Sequence, residues 1–174
     1  MNNLLVKKIK NIYKILSNRM WKKYKRHVSF GDLFTDRWKT AKTYGFGEGS
    51  SCYDNVLILG DVKVGKNTWI GPNCILDGSG GLEIGDYCSI SAGVQIYSHN
   101  TVNKTTSFGK EPTELASVKI GSGVYIGPQT VIQMGVDIGD KAIIGACSFV
   151  NCDVPANKKA WGCPAKIQSD KNKN

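Results

Sequence analysis

Residues 118–150 read VKIGSGVYIGPQTVIQMGVDIGDKAIIGACSFV, in which Ile120, Ile126, Ile132, Ile138, Ile144 and Val150 recur at every sixth position. The same step runs upstream through Val64, Ile70 and Leu76, and again through Ile84, Ile90 and Ile96. About a fifth of the chain is Ile, Leu or Val, so six in a row at one step has chance odds of roughly one in ten thousand. Two residues before each of these positions stands a small, β-branched or aliphatic one: Val62, Thr68, Cys74, Leu82, Cys88, Val94, Val118, Val124, Thr130, Val136, Ala142 and Ser148. Residues two apart share one face of a strand. Each repeat therefore reads as a very short strand with two inward side chains. Seven of the twelve aliphatic residues are followed directly by glycine (65, 71, 85, 121, 127, 139 and 145). These glycines are expected to form the turns, by tolerating positive φ. Three such strands close a triangle, and stacked triangles make an all-β solenoid around one apolar column.

Outside this repeat the charge is uneven. The chain has 174 residues, 23 Lys plus Arg and 14 Asp plus Glu, for a formal charge of +9. Residues 1–26 hold nine basic residues and no acidic one, so the body from residue 27 onward is neutral overall. A nucleic-acid-binding core would carry its basic excess on the folded body, so nucleic acid is not expected as a partner. Leu5, Ile9, Ile12 and Leu16 form one stripe at helical spacing among the lysines. A basic helix of this kind suits either a cap over the open end of a solenoid or an anionic membrane surface, at about 1 kcal/mol per basic residue. Residues 27–55 read as a lead-in without assigned chemistry, and 169–174 as a polar tail.

The sequence has no apolar run of the roughly 20 residues a membrane span requires. It also lacks the uninterrupted apolar run of a secretory signal. A cytoplasmic protein with reduced thiols is expected. The six cysteines (52, 74, 88, 147, 152 and 163) contain no Cys-x-x-Cys pair, and no metal site is expected. Cys74 and Cys88 occupy small inward positions and read as core residues.

The runs Val64-Gly65-Lys66-Asn67-Thr68-Trp69, Ile84-Gly85-Asp86-Tyr87-Cys88-Ser89 and Ile138-Gly139-Asp140-Lys141-Ala142-Ile143 resemble the hexapeptide repeat of left-handed β-helix acyltransferases. The resemblance covers about residues 56–168. It implies a left-handed parallel β-helix with coils of about 18 residues, an exception to the right-handed crossover rule. It also implies a homotrimer with active sites between subunits, and acetyl-CoA as co-substrate.

The repeat breaks twice. After Asp77, at Gly78-Ser79-Gly80-Gly81, the step lengthens from six to eight; between residues 98 and 117 a polar loop intervenes. Long loops on a repeat scaffold carry function more often than not. His99, one of only two histidines, stands at the entrance of this loop. Imidazole is the side chain best suited to accept a proton near neutral pH. Ile96-Tyr97-Ser98-His99-Asn100 resembles the segment bearing the catalytic histidine in maltose/galactoside and polysaccharide O-acetyltransferases. By that resemblance His99 is the general base of acetyl transfer to a sugar hydroxyl, and Asp77 contacts the acceptor. Asp77 also fits ordinary turn chemistry. Glu111 and Glu114 in the loop are further acceptor candidates, with solvated loop charges as the alternative. His27 lies outside the repeat and is assigned no role.

The resemblance also places the cofactor on the C-terminal coils. Gly123-Val124-Tyr125-Ile126-Gly127 is similar to the family's Gly-x-Val-Trp-Ile-Gly segment, with Tyr125 for the usual tryptophan, and Pro128 follows. Gly145-Ala146 matches a position beside the pantetheine arm. Gly162-Cys163-Pro164-Ala165-Lys166 matches the terminal Gly-x-Pro-Ala-Lys motif, whose basic residue lies near the nucleotide phosphates. Where relatives often carry Thr-Lys, this chain has Asn151-Cys152, and Lys158, Lys159 and Lys166 are expected to compensate. N-acetylation of a nucleotide-linked amino sugar and a non-catalytic β-helix scaffold are the alternative readings. A zinc-dependent hydratase on this fold would need three histidines, and the repeat region holds one.

Overall fold

The computed structural model describes residues 3–169; the remainder of the polar tail, 170–174, lies outside the described residues. The chain folds as a left-handed parallel β-helix of about six turns. Its first wall is built from strands Ser51–Cys52, Trp69–Ile70, Ser89–Ile90, Tyr125–Ile126, Ile143–Ile144 and Lys159–Gly162. The second wall uses Gln95–Ile96, Val131–Ile132 and Phe149–Val150, and the third Val118–Ile120 and Asp137–Ile138. Two longer strands, Leu57–Val64 and Ile75–Ile84, run across the corner from the second wall to the third. Neighbouring coils pair in parallel, with Tyr125 beside Ile143, Val131 beside Phe149 and Lys119 beside Asp137, all 18 residues apart.

The six-residue step positions the core. Ile70, Ile90, Ile126 and Ile144 stack on the first wall and Leu76, Ile96, Ile132 and Val150 on the second, all without exposed surface. The small positions two residues earlier complete the column, with Thr130 and Ala142 equally buried. Cys74 and Cys88 belong to it as well; their thiols donate to the carbonyls of Ser91 and Gly121 at 3.1 and 3.0 Å. Burial pushes the Cys52 and Cys74 thiols up to about 12 and about 11, which leaves them protonated and unreactive at neutral pH.

The corners correct the expectation about glycine. Positive φ falls three residues after nine of the twelve aliphatic positions, at Asn67, Asn73, Tyr87, Gln129, Lys141 and Cys147, with glycine there only at 93, 123 and 135. The glycines directly after the aliphatic residue serve close approach between coils. A Cβ on Gly139 would stand 2.4 Å from the backbone nitrogen of Ala156, and one on Gly127 would stand 2.4 Å from that of Ala146. The Gly78-Ser79-Gly80-Gly81 segment is also not a turn. It lies inside strand Ile75–Ile84, paired with Leu57–Val64 through an irregularity between Gly60 and Val62.

At the N-terminus, helix α1 (Asn3–Tyr24) has no buried residue, so it does not cap the solenoid. The cap comes from the lead-in instead. Helix α2 (Arg37–Thr43) is N-capped by Asp36, whose carboxylate accepts from the Lys39 N–H at 2.8 Å. Its Ala41, with Phe46 beyond it, is buried against the first coil. The excursion at 98–117 is folded. Its arms His99–Asn100 and Glu114–Leu115 pair antiparallel, and helix α3 (Val102–Thr106) lies between them.

Because the corner glycines serve contact rather than φ, Gly139→Ala should overpack the coil junction by about 1–3 kcal/mol. This corresponds to a loss of about 2–12 °C in Tm. Lys141→Gly, at a positive-φ corner, should leave Tm within about 2 °C of wild type or raise it. Thermal unfolding of the two variants checks this, and the reverse ranking would refute the assignment of the two corner positions.

Candidate active site

Two departures from the regular coil meet at one corner, between the second and third walls. The first is the lengthened strand, which carries Asp77 with no exposed surface. The second is the excursion, which begins at Ser98 and His99. Its neck closes where the Ala116 N–H donates to the Ser98 carbonyl at 3.0 Å. Gly80 permits this closure, because a Cβ there would lie 2.4 Å from that carbonyl oxygen.

A buried carboxylate needs compensation, and Asp77 is fully supplied. Its Oδ1 accepts from the Ser79 N–H at 3.0 Å and the Ser79 hydroxyl at 2.5 Å. Its Oδ2 accepts from the Ser98 N–H at 2.9 Å and faces His99 Nδ1 at 2.5 Å. Burial alone would raise the Asp77 pKa. The hydrogen bonds from Ser79, Ser98 and His99 outweigh burial and bring it down to about 2. Asp77 is therefore an anion at neutral pH, and it holds the proton of His99 on Nδ1. The other ring nitrogen, Nε2, is left as the proton acceptor.

The His99 side chain retains 31% of its surface. It lines a cavity of about 240 Å³ with Tyr97, Asn100, Val131, Gln133, Met134 and Phe149. Tyr97 meets the imidazole edge-on, with centroids 6.3 Å apart, and its hydroxyl donates to Gln95 Oε1 at 2.8 Å. Val131, Gln133, Met134 and Phe149 were not singled out from the sequence, although the pairing of Gln95 with Val131 and of Val131 with Phe149 puts them beside His99. Ser79 and Ser98 were also missed. No sequence signal marks them, since their role exists only once Asp77 is buried.

Asp77, expected at the acceptor, has no exposed surface and turns its carboxylate to His99, outside the cavity lining. Glu114 is likewise engaged internally, accepting from Asn100 Nδ2 at 3.2 Å and Asn103 Nδ2 at 2.5 Å. Glu111 is exposed on the excursion and does not line the cavity. The residues named for the cofactor gather elsewhere. Tyr125, Gly127, Pro128, Gly145 and Ala146 stack on the first wall and on its corner with the second. Lys166 faces Trp161 on the terminal hairpin above them. On one chain these residues and the His99 cavity do not meet. The corner suits a thin arm ending in phosphates: Pro128 and Ala146 are small and exposed, with exposed Lys159 and Lys166 above them. Among the described residues no cluster of His, Cys, Asp or Glu could hold a metal ion.

The family model for bacterial transferase hexapeptide (six repeats) matches residues 117–152, and the model for the hexapeptide repeat of succinyl-transferase matches 61–98. These two stretches thus carry hexapeptide repeats of the kind found in bacterial transferases. The chain is 32% identical over 115 residues to galactoside O-acetyltransferase of Escherichia coli (strain K12), covering 65% of this chain and 47% of that one. It is 31% identical over 121 residues to serine acetyltransferase of Buchnera aphidicola, covering 70% of this chain and 47% of that one. The chain thus spans about half the length of these two relatives. A maltose O-acetyltransferase structure from Clostridium difficile 630 superposes with a TM-score of 0.60 at 26% identity, over 97% of this chain and 88% of that one.

The Asp77 anion also leaves a thermodynamic signature. Its pKa is depressed in the folded state, so its stabilisation is complete above the ordinary value of 3.8 and is lost as pH falls through about 2. In denaturant unfolding, the stability advantage of wild type over Asp77→Asn should shrink by about 2 kcal/mol between about pH 5 and about pH 2. A pH-independent difference would show that Asp77 is not an anion held by these hydrogen bonds.

Proposed function

We propose that the protein is an acetyl-CoA-dependent O-acetyltransferase that acts on a sugar hydroxyl of a surface polysaccharide or its precursor. The Asp77–His99 pair at the mouth of the cavity carries this reading: a buried anion fixes one imidazole nitrogen and frees the other beside a space sized for a small polar substrate. Likeness to galactoside and maltose O-acetyltransferases supports a sugar as acceptor. The lining agrees, because Gln133 offers an amide to hydroxyls and Phe149 offers an aromatic surface.

His99 Nε2 removes the proton of the attacking hydroxyl as its oxygen adds to the thioester carbon. Such base catalysis contributes about 10²–10⁴-fold. The C–S bond then breaks, and His99 returns the proton to the departing thiolate, so the histidine is regenerated. Asp77 is a positioning residue: it orients the ring without changing its own charge. Acetyl-CoA would supply the activated acyl group along Tyr125, Gly127, Pro128, Gly145 and Ala146, with Lys166 toward its phosphates.

Those residues lie one corner away from His99, so catalysis requires a second subunit to bring its corner to the cavity. A homotrimer with active sites between subunits meets that need. The outward residues agree with it. Leu57, Tyr125 and Ile143 expose 51%, 43% and 41% of their surface on the first two walls, whereas the third wall presents Lys63, Glu83, Lys119 and Asp137 in register. A cytoplasmic site of action is in keeping with six free cysteines.

Thiol release from acetyl-CoA, assayed across a panel of free, nucleotide-linked and lipid-linked sugars, tests the proposal. His99→Ala should lose at least about 10²-fold in kcat with an unchanged native mass. Asp77→Asn should lower kcat more than it raises KM. Near-normal turnover in His99→Ala would overturn the assignment.

A further inference from the structure

Helix α1 is the largest feature that acetyl transfer leaves unused. It is 22 residues long and has no buried residue. Leu5, Ile9 and Ile12, spaced to fall on one face, expose 53%, 45% and 46% of their surface. The apolar strip continues beyond the helix. Tyr13 stacks on Phe30 at 6.1 Å, Phe30 meets Phe34 at 4.9 Å, and both phenylalanines are 54% exposed. Lys7, Lys10 and Lys14 fall on the opposite side of the helix, and residues 1–26 carry nine basic residues with no acidic one. Among the described residues no helix is long and apolar enough to cross a membrane.

We propose that α1, together with Phe30 and Phe34, is a docking surface for an anionic lipid bilayer, lying in the interface with its apolar face inserted and its lysines among the headgroups. The charge fixes the choice of occupant, because an apolar protein groove would not call for nine cations. The exposed apolar strip separates a bilayer from a nucleic acid, which would recruit the lysines alone. Cyclic symmetry strengthens the effect, given the trimer proposed above. A three-fold axis sets three copies of α1 at one end of the assembly, where they bind one surface together. Docking of this kind holds the His99 cavity close to glycans carried on lipid.

The test is co-sedimentation of the full chain with phosphatidylcholine vesicles, with and without phosphatidylglycerol. Wild type should partition at least about tenfold more strongly onto the anionic vesicles, and high salt should weaken it. Ile9→Asp with Ile12→Asp, both exposed positions, should reduce partition at least about tenfold while native mass and thiol release with a soluble acceptor stay unchanged. Three results would each overturn the proposal: equal partition of variant and wild type, binding to single-stranded RNA as tight as to anionic vesicles and undiminished in the variant, or a fall in native mass showing that the strip packs on another copy. Partition is measured without substrate, so it stands or falls separately from acetyl transfer.

Discussion

Each coil of this protein must sit one strand spacing from the next, about 4.8 Å, at every corner of the triangle. The structure meets this constraint with residue size at the corners. Glycines at 65, 85, 121, 127 and 139 leave no Cβ where the next coil's backbone passes. Side chains then stitch one corner across coils. The Asp86 carboxylate accepts from the Lys66 N–H at 2.6 Å, Ser122 Oγ accepts from the Asp86 N–H at 3.1 Å, and Asp140 accepts from the Ser122 N–H at 2.8 Å. With the corners fixed, the inward column is buried on every coil, and the frame can hold a side chain to the few tenths of an ångström that catalysis needs.

The candidate active corner is where the frame departs from its own period. Extra residues in strand Ile75–Ile84 bring Asp77 into the interior, and the excursion at 98–117 brings in His99. A buried carboxylate is costly unless hydrogen-bonded, and Ser79 and Ser98 offset that cost with donors on both oxygens. The consequence reaches the chemistry, since a carboxylate held near pKa 2 cannot take the histidine's proton. It can only orient the ring. In this account the acid–base work falls to His99 and the geometry to Asp77.

Much of this was legible in the sequence. The six-residue column, its two interruptions and the place of His99 at the entrance of the second follow from spacing alone, because a parallel coil repeats its environment every 18 residues. The rest required the third dimension. Asp77 fits either an acceptor contact or a turn in the sequence because glycines follow it, yet the segment is extended and pairs with a second irregular strand. The corner glycines read as φ devices, because contact with the next coil is invisible within one repeat. The basic helix fits either a cap or a membrane surface by its spacing, whereas the lead-in supplies the cap through Ala41 and Phe46, two isolated apolar residues with no period to mark them. Separation of His99 from Tyr125, Gly127 and Gly145 follows from the 18-residue register once the walls are assigned.

The proposed reaction depends on which nitrogen of His99 carries the proton. With only two histidines in the chain, nitrogen-15 NMR of the imidazoles, assigned by a His27→Gln variant, reads this directly. The neutral form of His99 should be the Nδ1–H tautomer, with Nε2 unprotonated, and Asp77→Asn should erode that preference. A neutral His99 with its proton on Nε2 in the wild-type protein would contradict the account, because the base would then point at Asp77 and away from the substrate.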